Sequence, residues 1–279
     1  MEKIKIKKSR KIGLALGGGG ALGVAHIGAI KAFEELGISF DYIAGTSAGS
    51  IIGALYAAGK TAAEMEKIAR NLRVKDIRNS TFILKPSKAD GIEKLVKNAL
   101  GEDLTFDKID KKFTVCCTDL KTGREIHINT GSIAKAVSAS CAVPGVFKPV
   151  IYDDMHLVDG GLKNNLPSDV VREMGANIVV AVELNYTRGF GTDKLGMLDV
   201  LKSSLGIMMA SGVEPKLAYA DIIIQPDMRK FSKANLKDFD DRFNLGYESV
   251  MASKKEILEI FKEGPDKKKV KNAKKKIFK

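Results

Sequence analysis

The chain has 279 residues, of which 44% are hydrophobic, and it carries a formal net charge of +12. This length allows one large domain or two small ones, and the hydrophobic fraction is ordinary for a soluble globular protein. The charge sits at the ends, because residues 1–11 carry +5 and residues 265–279 carry +7, which leaves residues 12–264 neutral. A neutral body, and basic ends without interleaved aromatic residues, argue against nucleic-acid binding.

The lysine-rich ends fit either solvated tails or segments attracted to an anionic membrane surface, at about 1 kcal/mol per basic residue. The three cysteines, Cys116, Cys117 and Cys141, have no framework spacing, which suits free thiols in a reducing compartment. Six glycines from Gly13 to Gly23 and the internal His26 make residues 12–30 a poor signal sequence. We therefore expect a cytoplasmic protein, with peripheral contact at the inner membrane face as an option.

The first segments alternate between strand and helix patterns. A strand at Lys11–Leu16 leads into a glycine loop, Gly17–Gly20, and a helical pattern at Ala21–Leu36. A second strand, Phe40–Ala44, precedes a small-residue helix, Ser47–Ala58. Thr61-Ala62-Ala63-Glu64 then has the form of a capping box that opens another helix. This alternation predicts a parallel sheet with crossover helices.

The later segments are more varied. Residues 74–110 are mixed and lysine-rich, and predict short helices that form a flap. After them the patterns predict, in order, a hairpin of Phe113–Thr118 and Arg124–Ile128, a helix at Ile133–Ser140, strands at Val150–Tyr152, His156–Val158, Asn177–Leu184 and Asp221–Gln225, and one long helix at Phe239–Phe261. Leu198, Leu201, Leu205, Met208 and Met209 recur at helical spacing, as in a core helix or a lipid-facing wall of a substrate pocket.

The segment Ile43-Ala44-Gly45-Thr46-Ser47-Ala48-Gly49 places a serine between two glycines, after a strand and before a helix. This context predicts a nucleophile elbow, in which Gly45 and Gly49 allow a sharp turn and leave the Ser47 hydroxyl prominent. The N-terminus of the following helix would favour an oxyanion at this point.

The glycine loop Gly17–Gly23 contains G-x-G-x-x-G and fits two chemistries. In a dinucleotide fold it would cradle a pyrophosphate, and an acid would follow at the end of the second strand. Here Asp41 lies at the start of that strand, and the strand runs into the serine elbow. The alternative is an oxyanion hole built from bare N–H groups. The second interpretation is favoured.

A nucleophilic serine needs a base. His26 lies within the first helix pattern, His127 in the hairpin and His156 before a strand, so none follows a strand in a loop. Asp159, in Val158-Asp159-Gly160-Gly161, ends an apolar strand and is the better candidate. An aspartate with an ordinary pKa near 3.9 is a weak base, so it would need a low-dielectric pocket and strong oxyanion stabilisation.

Together these segments resemble the sequence blocks of the patatin-like phospholipase family, specifically its small bacterial members. The stretch Ser138–Phe147 resembles the remaining block, A-S-x-x-x-P-x-x-F, and the similarity runs from about residue 11 to residue 262. The resemblance divides the chain into a basic extension at 1–11, an acyl-hydrolase domain at 12–262 and a lysine-rich tail at 263–279. It implies a three-layer α/β/α fold with a mostly parallel central sheet.

For function, the resemblance implies a Ser47–Asp159 dyad, an oxyanion hole from the N–H groups of Gly18, Gly19 and Gly20, and a lipid or other acyl-ester substrate. It implies neither a metal nor a cofactor. The family loop usually carries a basic residue where this chain has Leu22. That departure keeps a second hypothesis open, a catalytically weak lipid-binding or regulatory protein on the same fold. Headgroup, acyl chain length and oligomeric state stay open.

Overall fold

The computed structural model describes residues 10–72, 87–102, 104–185 and 196–264. Its strands are β1 (Ile12–Leu16), β2 (Tyr42–Thr46), β3 (Lys112–Asp119), β4 (Glu125–Ile128), β5 (Val150–Tyr152), β6 (Met155–Asp159), β7 (Ile178–Val182) and β8 (Ile222–Ile224). Its helices are α1 (Val24–Glu35), α2 (Ala48–Ala57), α3 (Ala62–Arg70), α4 (Asp90–Leu100), α5 (Ile133–Ser140), α6 (Ser168–Glu173), α7 (Met197–Ser211), α8 (Val213–Leu217), α9 (Phe239–Ala252) and α10 (Lys254–Glu263).

The strands form one mixed sheet in the order β5-β6-β3-β2-β1-β7-β8, with β4 also paired to β3. The centre of the sheet, from β3 through β2, β1 and β7 to β8, is parallel. The hairpin strand β4 and the strand β6 run antiparallel to β3, and β5 runs antiparallel to β6. The prediction of a mostly parallel central sheet is confirmed.

Both faces of this sheet are covered, because alternate residues of its central strands enter two separate cores. Leu14 and Leu16 of β1 join the larger core, whereas Ala15 between them joins the smaller one. Helices α1, α2, α3, α5 and α9 contribute to the larger core, and α6 and α8 contribute to the smaller. Fully buried parallel strands of this kind are typical of α/β folds. The three-layer α/β/α prediction is also confirmed.

Two helix predictions need correction. The segment predicted as one long helix, Phe239–Phe261, is divided into α9 and α10 at Ser253. The Ser253 hydroxyl donates to the carbonyl of Ser249 at 3.1 Å, so its side chain competes for the helix backbone at the break. The helix predicted from residue 21 begins with a 3-10 turn, Gly20–Gly23, before α1.

Of the predicted flap, α4 packs against the core, and residues 74–86 lie outside the described residues. Of the predicted basic extension, Arg10 and Lys11 contact the body: Arg10 donates to the carbonyl of Phe261 at 2.7 Å, and Lys11 pairs with Asp41 at 3.0 Å. Among the described residues, the structure contains no helix with the length and apolar character needed to cross a membrane.

Candidate active site

Strand β3 brings two distant chain segments together. Thr46, the last residue of β2, pairs with Cys116, and Asp159, the last residue of β6, pairs with Cys117. Because β2 is parallel to β3 and β6 is antiparallel to it, the two strands approach the middle of β3 from opposite directions. Ser47 and Asp159 therefore meet above neighbouring residues of one strand.

Ser47 occupies a sharp turn between β2 and α2. Its φ of 51° and ψ of −123° lie in a region that non-glycine residues rarely adopt, and such strain is typical of functional sites. A Cβ atom on Gly49 would lie 2.1 Å from the carbonyl oxygen of Leu16, and one on Gly45 would lie 2.5 Å from that of Gly49. The backbone crossing therefore requires glycine two residues before and two residues after the serine.

The backbone of Ser47 is held on both sides. Its N–H donates to Ser140 Oγ at 2.9 Å, and that hydroxyl donates to the carbonyl of Cys116 at 2.6 Å. The Ser50 hydroxyl donates to the carbonyl of Ser47 at 2.6 Å. These bonds fix the turn. None of them involves the Ser47 hydroxyl. Ser140 lies in the A-S block of the sequence, but its role was not predicted.

Asp159 is completely buried at the end of β6. Its Oδ1 accepts the N–H of Gly161 at 2.8 Å, and its Oδ2 has no hydrogen-bond partner within the described chain. Burial raises the pKa of Asp159 to about 6, although the Gly161 N–H, the Ser47 hydroxyl and the charge of Lys233 each act to lower it. The Ser47 hydroxyl is thus close enough to influence the carboxylate without making a bond of standard geometry. The result is a carboxyl group with one unused oxygen and a pKa suited to proton transfer near neutrality.

The glycine loop lies directly on Ser47, since a Cβ atom on Gly18 would come within 3.3 Å of the Ser47 Cβ. The three predicted oxyanion donors differ in their hydrogen bonds. The N–H of Gly18 is occupied, because it donates to the carbonyl of Asn165 at 3.0 Å. The N–H groups of Gly19 and Gly20 make no hydrogen bond within the described residues. Two of the three predicted amides are therefore available to a ligand.

The carbonyl groups of the loop are anchored by two side chains for which this role was not predicted. His26 Nε2 donates to the carbonyl of Gly17 at 2.8 Å, and Asn185 Nδ2 donates to that of Gly18 at 2.5 Å. Burial lowers the pKa of His26 to about 4, so the ring is neutral at pH 7 and serves the loop rather than Ser47. Asn185 lies three residues after the apolar strand β7, and a polar residue near the end of such a strand was a usable signal.

The far end of the loop is held from the C-terminal part of the chain. The N–H of Ala21 donates to the carbonyl of Lys233 at 3.0 Å, and the buried Arg242 donates from Nη1 to the carbonyl of Ala21 at 3.1 Å. Leu22, which stands where the family usually has a basic residue, is completely buried in the larger core. At this end of the loop, Arg242 and the backbone of Lys233 supply the support.

Among the described residues, neither of the other two histidines bonds to Ser47. His156 is exposed on β6, and His127 pairs with Glu125 at 2.6 Å on β4. Cys116, Glu125 and His127 each offer one ligand atom within 4.8 Å of the others, but Lys216 Nζ lies 3.5 Å from Glu125. Burial also raises the pKa of the Cys116 thiol. An ammonium group and a protonated thiol oppose metal binding, so we assign no metal to this cluster.

The structure has two further apolar features. A small apolar cavity lies between α2, α3 and α4, and its lining includes Ile51 but neither Ser47 nor Asp159. On α7, Leu201 and Met208 are exposed, whereas Leu205 and Met209 are half-buried. The predicted core helix is therefore a surface helix, and the side chain of Leu198 lies outside the described residues. A Cβ atom on Gly161 would lie 2.2 Å from Met209 Cε, so α7 borders the turn that follows Asp159.

Comparison with solved structures supports the fold. The crystal structure of VipD from Legionella pneumophila superimposes with a TM-score of 0.62, at 15% identity, over 90% of this chain and 69% of that one. The type III effector protein ExoU gives a TM-score of 0.52, at 16% identity, over 91% of this chain and 54% of that one. At these identities the similarity is one of fold alone.

Sequence comparison is more specific. An uncharacterized NTE family protein of Mycobacterium bovis is 28% identical over 271 residues, covering 88% of this chain and 46% of its own length. The lysophospholipase nte1 of Emericella nidulans is 28% identical over 274 residues, covering 85% of this chain and 18% of its own length. This chain thus spans less than half the length of either relative. The sequence model of patatin-like phospholipases matches residues 14–172, more than half of the chain. By that match, this chain belongs to the patatin-like phospholipase family.

Proposed function

We propose that this chain is a serine acyl-hydrolase that cleaves fatty acyl esters of lipids, as a phospholipase, lysophospholipase or esterase, with Ser47 as nucleophile and Asp159 as base. The observation that carries the proposal is the meeting of a strained, turn-borne serine with a buried carboxylate whose Oδ2 has no other partner among the described residues. Family membership and the lysophospholipase relative support a lipid substrate.

In the first half-reaction, the Ser47 oxygen attacks the ester carbonyl carbon and its proton passes to Asp159 Oδ2. The N–H groups of Gly19 and Gly20 stabilise the tetrahedral oxyanion. The ester C–O bond then breaks, and Asp159 returns the proton to the departing alcohol. In the second half-reaction, Asp159 takes a proton from water, which attacks the acyl-enzyme, and Ser47 recovers its proton as the fatty acid leaves.

The surroundings of the dyad support this assignment. The pKa of Asp159, raised to about 6 by burial, makes it a stronger base than an exposed aspartate while leaving it ionised at pH 7.

The dyad is tested with a short p-nitrophenyl ester and a fluorophosphonate probe. We expect Ser47→Ala and Asp159→Asn each to lower kcat by about a thousandfold or more. Ser138→Ala, which changes a buried hydroxyl bonded to the carbonyl of Lys135 within α5, is the matched control and should retain most of the activity. Full activity of Ser47→Ala would refute the proposed mechanism.

The alternative is a catalytically weak lipid-binding or regulatory protein on the same fold. The observation that favours it is the occupied N–H of Gly18, which leaves fewer oxyanion donors than the loop was predicted to supply. An unlabelled Ser47 in a folded protein that still binds lipid would support this alternative.

For the basic ends, we propose salt-sensitive attraction to an anionic membrane, because residues 265–279 alone carry a net charge of +7. Deleting these residues should weaken binding to anionic vesicles at low salt and have little effect at high salt. Equal binding by the truncated and full-length chains would remove the proposal.

A further inference from the structure

The outer face of α7 is unusually apolar. Within the described residues, eight large hydrophobic side chains are exposed, and five of them lie on this helix of 15 residues. They are Met197, Val200, Leu201, Ile207 and Met208, with exposed fractions of 74%, 43%, 59%, 54% and 49%. Their spacing places them on one side of the helix, and the exposed positions among them are Ser204 and Ser211. We refer to these five side chains as the α7 apolar face.

The opposite side of α7 is seated on the candidate active site. Leu205 and Met209 are half-buried there, and the methyl group of Met209 lies against Gly161, two residues after Asp159. The α7 apolar face is therefore the outward surface of the same helix that borders the turn after Asp159. A partner that covers this face would lie immediately beside the dyad.

A lipid surface fits this position better than a protein partner does. Single exposed hydrophobic residues are normal, but five on one helix form a continuous patch of the kind that marks an interaction site. A helix with an apolar face lies readily in the plane of a membrane interface. The two basic ends, which carry the whole net charge of +12, would be attracted to the same anionic surface. A second copy of the chain packed on this face would instead shield the site that a lipid must enter.

We propose that α7 is the membrane-docking helix of this protein. Its apolar face inserts among the headgroups and upper acyl chains of an anionic bilayer. The turn after Asp159, on the inner side of α7, is then held close to the lipids of that bilayer. The inference rests on the proposed function for its substrate, but docking itself requires no catalysis.

The test separates docking from catalysis. A quadruple variant, Met197→Ser, Leu201→Ser, Ile207→Ser and Met208→Ser, removes apolar surface without adding charge. The matched control, Leu120→Ser with Ile151→Ser, changes two similarly exposed side chains away from α7, with exposed fractions of 51% and 54%. Binding to vesicles of phosphatidylglycerol and phosphatidylcholine is measured by co-sedimentation in the Ser47→Ala background, at low salt and at about 0.5 M salt, where attraction by the basic ends is screened.

We expect the quadruple variant to lose about tenfold or more in vesicle affinity at high salt, while the control binds like the parent. With Ser47 restored, its activity should fall on vesicle substrate and stay unchanged on a soluble p-nitrophenyl ester. Undiminished vesicle binding at high salt would overturn the proposal. If the quadruple variant binds vesicles like the parent but forms a smaller oligomer than the parent does, the α7 apolar face is an interface with a second copy and the proposal fails. Failure of the hydrolase proposal would appear separately, as soluble-ester hydrolysis that persists in Ser47→Ala.

Discussion

The hydroxyl of Ser140 accepts the backbone N–H of Ser47 at 2.9 Å, and so ties the strained serine turn to the last residue of α5. The same hydroxyl donates to the carbonyl of Cys116, so a single side chain links the turn to the central strand β3. All of these groups are buried. If the Ser140 hydroxyl were removed, no water could replace it as the partner of the Ser47 N–H and the Cys116 carbonyl.

Ser140→Ala should therefore lower the free energy of unfolding by about 1–3 kcal/mol and reduce kcat, since the turn would relax. Urea denaturation and ester hydrolysis measure the two effects. The matched control is Ser138→Ala, also on α5 and buried, whose hydroxyl bonds only within its own helix, to Lys135. Equal losses of activity in the two variants would contradict a specific role for Ser140.

The pH dependence of activity follows from Asp159. As a base it must be ionised, and burial raises its pKa to about 6. The value of kcat/KM on an uncharged soluble ester should therefore rise by about tenfold per pH unit below pH 6 and level off above it. A rate that stays constant from pH 5 to pH 8 would show that Asp159 does not act as the base.

Ionisation of Asp159 should affect stability in the sense opposite to its effect on activity: stability falls as pH rises. The folded protein holds this proton up to pH 6, whereas the unfolded chain releases it near pH 4, so stability falls as pH rises between these values. Asp159→Asn should thus raise the free energy of unfolding at pH 8 by about 1–3 kcal/mol and much less at pH 4. Asp227→Asn is the control, because Arg229 lowers the pKa of that exposed carboxyl to about 2 and the sign should reverse.

His26 predicts sensitivity to acid. Burial lowers the pKa of His26 to about 4 in the folded protein, whereas its pKa in the unfolded chain is near 6.5. Between these two values the unfolded chain binds a proton that the folded protein does not bind. Stability should fall by about 3 kcal/mol as pH falls from 6.5 to 4. The loss is best measured by urea denaturation in the Asp159→Asn background, which lacks the opposing titration. His26→Gln should remove the pH dependence, whereas the exposed His156→Gln should not. If both variants retain it, another group is responsible.

Arg242 should stabilise the glycine loop by a direct hydrogen bond, although it lies far from the loop in the sequence. Arg242→Met leaves the carbonyls of Ala21 and Asn235 without this donor, and we expect a loss of about 1–3 kcal/mol in stability together with a lower kcat. The control is Arg229→Met, because Arg229 is exposed and, among the described residues, pairs only with Asp227, two residues away. Fluorophosphonate labelling of Ser47 reports the loop effect directly, and unchanged labelling with normal kcat would contradict it.

The sequence predicted those features that depend on residues close together in the chain. Strand periodicity and the two small residues flanking Ser47 gave the sheet and the turn, and the end of an apolar strand gave Asp159. The bonds from Asn165 to Gly18 and from Arg242 to Ala21 join residues 147 and 221 positions apart. No local pattern encodes such contacts, so the occupied Gly18 amide could not be foreseen.

The apolar face of α7 shows a related limit. Helical spacing located the helix correctly, but spacing alone does not say which side is covered. Leu201 and Leu205 are equivalent in the pattern, yet the first is exposed and the second is half-buried. Their difference depends on where the turn after Asp159 lies, which is a tertiary property.

The family match ends at residue 172, but the glycine loop is anchored by Val182, Asn185, Lys233 and Arg242. A fragment that ended at that boundary would keep the proposed nucleophile and base but lose four of the groups that hold the loop. We expect such a fragment to be unable to stabilise an oxyanion and therefore to hydrolyse no ester.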